Sequence, residues 1–137
     1  MKEVTIFTDG GARGNPGPAG IGAVIYDADQ NEMGQVSEYI GESTNNVAEY
    51  TAIIRALQHL ATMVEDTKAI KITLKLDSQL AERQLNGAYK VKDANLKRLF
   101  DQVKGLIEQY ASVEFVHVKR ELNKEADKLV NAALDAH

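Results

Sequence analysis

A chain of 137 residues, 44% hydrophobic and 26% charged, has the make-up of one globular domain with a core of its own. It has no cysteine, which excludes disulfides and thiolate metal sites, and its three histidines show no zinc spacing, so any bound metal must be held by oxygen. A net charge of −4 argues mildly against a general nucleic-acid binder without excluding a clustered basic surface, and no apolar run approaches the roughly 18 residues of a membrane span.

The first predicted element is a β-branched and aromatic run over residues 4–8 that closes in Asp9. Five of the ten glycines and both prolines follow between residues 10 and 20. Glycine permits positive φ and close backbone approach, and proline pre-sets turn geometry, so this is a sharp turn into a returning strand at 21–26. A polar turn at 27–31 and a third strand at 32–40 complete an antiparallel meander, broken by Gly41-Glu42-Ser43. Met1 leads almost directly into the first strand, so no signal peptide is expected and the expected location is cytoplasmic.

From Asn46 the period becomes helical, with Val47, Tyr50, Ile54, Leu57 and Ala61 at three- and four-residue steps. Asn46 and Glu49 together have the form of a capping box. Residues 70–77 alternate as a strand with one apolar face, and 78–85 form a short helix stopped by Asn86-Gly87. After a linker at 88–92, Asp93 is placed to cap an amphipathic helix carrying Leu96, Leu99, Phe100, Val103, Leu106, Ile107 and Tyr110. A strand at 113–118 and a helix beginning at Asn123 complete the order β-β-β-α-β-α-α-β-α. Strands separated by helices force parallel neighbours through right-handed crossovers, while the opening meander is antiparallel. The expectation is a single α/β domain over residues 1–137, a mixed five-stranded sheet with helices on both faces.

Four acids stand out by position. Asp9 closes strand one and Asp77 closes strand four, and as parallel neighbours these strands bring both to the carboxyl edge, where open α/β sheets bind ligands. Glu49 and Asp127 lie near the starts of their helices, at the margins of the buried stripes, and so are oriented toward the same edge. Each also has an ordinary reading: an Asx-turn for Asp9, the capping box for Glu49, a helix cap for Asp77, a favourable helix-dipole site for Asp127. Four converging carboxylates would raise one another's pKa unless a cation neutralised them, and two divalent ions about 4 Å apart form an apparatus for phosphodiester hydrolysis.

These residues resemble the ribonuclease H family, type 1 class. The likeness runs through Thr8-Asp9-Gly10-Gly11 with Gly14-Asn15-Pro16-Gly17, then Thr44-Asn45-Asn46-Val47-Ala48-Glu49, then Leu76-Asp77-Ser78-Gln79, and finally Asn123-Lys124-Glu125-Ala126-Asp127. It implies sheet order 3-2-1-4-5 with strand 2 antiparallel, and endonucleolytic cutting of the RNA strand of RNA–DNA hybrids, leaving 5′-phosphate and 3′-hydroxyl ends. By the same resemblance Asp9, Glu49, Asp77 and Asp127 would hold two Mg²⁺, with Mn²⁺ able to substitute. Gly10, Gly11, Glu49, Asn45 and Gln79 would meet ribose 2′-hydroxyls or minor-groove edges, and Asn15, Thr44 and Asn45 would contact DNA phosphate. The ordinary reading of these amides is turn and capping duty.

Two features depart from the family pattern. Many members carry a basic helix-and-loop handle where this chain has only residues 86–92, leaving Tyr89, Lys90 and Lys92 to contact the hybrid backbone. Many also have a Gly-rich loop with a histidine after strand five. Here Lys119-Arg120-Glu121-Leu122 is tighter, Arg120 is the candidate phosphate contact with a solvated turn at Lys119 and Arg120 as the ordinary reading, and His117 lies within the strand as a structural residue. The expected partner is an RNA–DNA hybrid, with RNA–RNA duplex as a second substrate and the protein a monomer. A binding module without turnover is the main alternative. An actin-like phosphotransferase ranks last, because such proteins need two of these domains.

Overall fold

The structure is a computed structural model that describes residues 2–137. Three strands, β1 (Lys2–Ala12), β2 (Gly17–Tyr26) and β3 (Glu32–Ser43), lead into α1 (Asn45–Met63). Then come β4 (Ile70–Leu76), α2 (Gln79–Leu85), α3 (Ala94–Ile107), β5 (Ser112–His117) and α4 (Lys124–Asp135), with 3₁₀ turns at Thr67–Ala69 and Arg120–Leu122. The sheet order is β3-β2-β1-β4-β5, as expected from the resemblance. β2 runs antiparallel to both neighbours, and β4 is parallel to β1 and β5. No described helix is long and apolar enough to cross a membrane.

Strand alternation decides which residues face which layer. In β4, Ile70, Ile72, Leu74 and Leu76 are buried while Thr73 and Lys75 between them are only half-buried. The inward residues join Ile6, Ile21 and Ile25 of the neighbouring strands and Ile53, Leu57 and Leu60 of α1 in one core. α4 lies on the opposite face, across β1, β2 and β3.

The elements differ from the sequence-based expectations mainly at their ends. β1 does not stop at Asp9: its ladder with β4 ends at Thr8↔Leu76, but its ladder with β2 continues to Ala12↔Ala19. β3 runs through Gly41 to Ser43, because a register shift at Ala19/Gly20 absorbs that glycine's positive φ of 83° inside the sheet. α1 is capped by Thr44, whose hydroxyl accepts from Val47 N at 3.2 Å, and the capping box expected of Asn46 and Glu49 does not form. Asp77 does not cap α2 either; Ser78 does, accepting from Ala81 N. α3 ends at Ile107, and Tyr110 is buried beyond it with its hydroxyl donating to Leu57 O.

Candidate active site

The site forms where the parallel ladder of β1 and β4 stops. Asp9 and Asp77 each follow the last paired residues, Thr8 and Leu76, and strand parity turns both toward the face opposite the main core. Glu49 reaches them from α1 on the other layer because Gly10 has no side chain. A Cβ on Gly10 would lie 2.3 Å from Ala48 O and 2.7 Å from Glu49 N, so only glycine lets the first turns of α1 press on β1. Gly10 N then donates to Glu49 Oε1 at 3.1 Å, which leaves Glu49 Oε2 buried without a partner.

Gly22, paired with Asp9, performs the same service on the opposite face. A Cβ there would lie 2.4 Å from Ala126 O, so its absence lets α4 lie flat on β2 and bring Asp127 to the same cleft.

One ligand oxygen from each of Asp9, Glu49 and Asp77 lies within 4.8 Å of the others. Asp9 is 8% and Glu49 7% exposed, and among the described residues neither faces a cation within salt-bridge range. Burial first, and the Asp77 charge second, push the Asp9 carboxyl up from 3.8 to about 7. Burial, then the Asp9 charge, raise Glu49 well above the usual carboxylate range. Asp127 stands outside this group of three, exposed, with Asn131 Nδ2 donating to its Oδ2 at 3.4 Å, and its charge adds to the rise at Asp9.

This arrangement fits a divalent cation. The donors are all carboxylate oxygens, the ligand set of Mg²⁺, Mn²⁺ or Ca²⁺, and the orphaned Glu49 Oε2 lacks the partner that a buried polar atom requires. Like charges crowded in a poorly solvated place are relieved by positive charge, so the cluster can hold a metal.

The cleft over the acids encloses about 400 Å³, and Gly10, Gly11, Asn45 and Arg120 line it. The other sequence-derived candidates lie outside its lining. Asn15 Oδ1 accepts from Asn45 N at 3.0 Å, and Thr44 caps α1. Gln79 opens α2 on the surface, while Tyr89, 53% exposed, and Lys90 follow α2. His117 ends β5 on the surface, so its side chain is not in the core.

Two residues of the site were not picked out by sequence reasoning. Asn123 stands in the sequence as a helix start and as the first residue of the last motif, without a role of its own, yet its side chain does not cap α4: its Nδ2 donates to Thr8 O at 2.8 Å and to Asp77 Oδ2 at 3.2 Å. This amide, 1% exposed, ties the ends of β1 and β4 to the start of the Asp127 helix. Arg13 also lines the cleft. Its signal was a cation inside the glycine-rich turn beside Asp9.

A family model described as "Reverse transcriptase-like" matches residues 7–133. The structure of LC11-RNase H1, isolated from compost, superposes with a TM-score of 0.93 at 48% identity, covering 99% of this chain and 98% of that one. The same LC11-RNase H1 in complex with RNA/DNA hybrid matches at 47% identity and a TM-score of 0.93, with 97% of each chain covered. Ribonuclease HI of Halobacterium salinarum is 40% identical over 132 residues, 96% of this chain and 64% of that protein. The "Bifunctional protein Rv2228c" of Mycobacterium tuberculosis is 39% identical over 135 residues, 98% of this chain. The chain spans only 36% of the length of that relative.

Proposed function

This chain belongs to the ribonuclease H family, type 1 class, and from that premise we propose that it is a metal-dependent endonuclease hydrolysing the RNA strand of RNA–DNA hybrids, leaving 5′-phosphate and 3′-hydroxyl ends. The observation that carries the reading is the carboxylate group of Asp9, Glu49 and Asp77, with its orphaned Glu49 oxygen, in a chain with these relatives. RNA–RNA duplex is a second candidate substrate. The reading includes a monomer working in the cytoplasm.

In this proposal Asp9, Glu49, Asp77 and Asp127 hold two Mg²⁺, and Mn²⁺ can substitute. The ions, when bound, supply Lewis acidity toward the scissile phosphate and lower the pKa of bound water. The chain's own residues set the stage for that chemistry. Gly10 N–H orients Glu49 through Oε1, and Asn123 Nδ2 orients Asp77 through Oδ2. Asp9 must give up its proton before it can serve as a ligand, so at sub-saturating metal its uptake rises with pH through about 7, and saturating metal moves that rise to lower pH. The backbone of Gly10 and Gly11, with Asn45 and Gln79, reads ribose 2′-hydroxyls, which distinguish RNA from DNA. Asn15, Thr44 and Asn45 position DNA phosphates, and Tyr89, Lys90 and Arg120 serve as the reduced backbone grip.

The experiment is cleavage of a labelled hybrid with Mg²⁺ or Mn²⁺, with end-group analysis and Asp9→Asn as the control. Absence of cutting by the wild type with either metal refutes the assignment. Tight binding without cutting would instead favour a hybrid-binding module, a reading motivated by the short stretch after α2.

A further inference from the structure

Among the described residues, Arg13 and Arg120 are the cations that line the acid-lined cleft. Arg13 is held on a rigid base. Its backbone N donates to Pro18 O at 2.8 Å, and a Cβ on Gly17 would lie 2.3 Å from its carbonyl oxygen. The turn around it is fastened to α1 twice, by Ala12 N to Asn45 Oδ1 at 2.8 Å and Asn45 N to Asn15 Oδ1 at 3.0 Å. Its guanidinium, half-exposed, donates from Nη2 to Asp135 Oδ1 at 2.6 Å.

Asp135 is the last residue of α4. A helix C-terminus disfavours negative charge, so this acid gains nothing from its own helix. The pair engages one guanidinium nitrogen, and both side chains are at least half-exposed, so solvent screens it heavily. A phosphate diester can take both ends of the guanidinium fork, a match that a single carboxylate oxygen does not equal here.

We propose that Arg13 is a substrate-phosphate ligand and that Asp135 is its placeholder, occupying the guanidinium until a nucleic-acid backbone displaces it. This rests on the nuclease reading above and adds to it a specific contact and an internal competitor. In a cleft dominated by carboxylates, a cation parked on an acid is kept from folding over onto Asp9 and Glu49. On substrate entry it exchanges one anion for another.

The two residues then act with opposite sign. Arg13→Ala raises the KM for a labelled RNA–DNA hybrid by about tenfold, leaves kcat within about twofold, and flattens the slope of log KM against log salt by about one. Asp135→Asn lowers KM by about two- to threefold, because the competitor is gone. Asp135→Asn placed on Arg13→Ala changes nothing further, because the acid acts only through the arginine. Hybrid binding by fluorescence anisotropy in EDTA follows the same order without relying on turnover. Melting temperatures of all three stay close to wild type, and Arg13→Gln provides a second neutral variant.

An unchanged KM in both Arg13→Ala and Arg13→Gln overturns the proposal while the nuclease reading stands. So does an Asp135→Asn gain that persists without Arg13, since that would be a general charge effect. A wild type that neither binds nor cuts the hybrid removes the nuclease reading, and the proposal with it.

Discussion

Replacing Asp9 by asparagine removes a charge that the metal-free fold accommodates badly, so Asp9→Asn makes the apoprotein more stable while abolishing cleavage. The carboxyl is held at about 7 instead of its ordinary 3.8, mostly by burial and then by Asp77. That interval corresponds to about 4 kcal/mol disfavouring the ionised form in the folded state. Part of this is shared with Glu49, which Asp9 itself raises, so the expected gain is about 2–4 kcal/mol near pH 8. The sign follows from proton binding. Below about pH 4 the carboxyl is protonated in the folded and unfolded states alike, and no penalty exists. Between 3.8 and about 7 the unfolded chain has ionised while the folded one keeps its proton, so wild-type stability falls as pH rises, and above about 7 the loss is complete.

The assay is thermal or urea unfolding of wild type and Asp9→Asn in EDTA at several pH values. At a few degrees per kcal/mol for a domain of this size, the variant melts about 6–12 °C higher near pH 8 and at nearly the same temperature near pH 4. Saturating Mg²⁺ narrows the gap at high pH, because it binds and stabilises the chain that still has Asp9 more strongly than the variant. A gain independent of pH, or a loss near pH 8, would refute the electrostatic argument.

Two further substitutions test how the site is held. Gly10→Ala places a methyl group against Ala48 O and Glu49 N and forces α1 away from β1; an expected loss of about 2–4 kcal/mol is read from urea unfolding, together with lost hybrid cleavage. Asn123→Ala removes the donor to Thr8 O and Asp77 Oδ2 from a buried site. It is expected to cost about 1–3 kcal/mol and to weaken Mn²⁺ binding measured by calorimetry, with Asn123→Asp no rescue because it sets a carboxylate against Asp77.

Much of this protein was determined locally. Alternation of Ile70, Ile72, Leu74 and Leu76 against Lys71, Thr73 and Lys75 specifies a strand with one buried face, whatever surrounds it. Asp93 before an amphipathic run specifies a helix start, and its side chain does accept from Asn95 N and Leu96 N. Strand–helix alternation then specifies parallel neighbours, which is why Asp9 and Asp77 were legible as a pair.

The rest depended on contacts between segments distant in sequence. A motif such as Asn46…Glu49 reads equally as a capping box and as a ligand, but Thr44 takes the cap of α1 and leaves Glu49 beyond the first turn. Gly10 N, 39 residues away, claims Glu49 Oε1 and decides between them. Asn123 stands where a helix cap belongs, but its Nδ2 donates to the carbonyl of Thr8, 115 residues earlier, and its Oδ1 accepts nothing from α4. The pairing of Arg13 with Asp135, 122 residues apart, leaves no local trace at all. Periodicity and turn chemistry are properties of a few neighbouring residues and are written in the chain. Which donor meets which acceptor across the sheet is settled only when the layers pack, since that packing decides which glycines let a helix come close enough to reach.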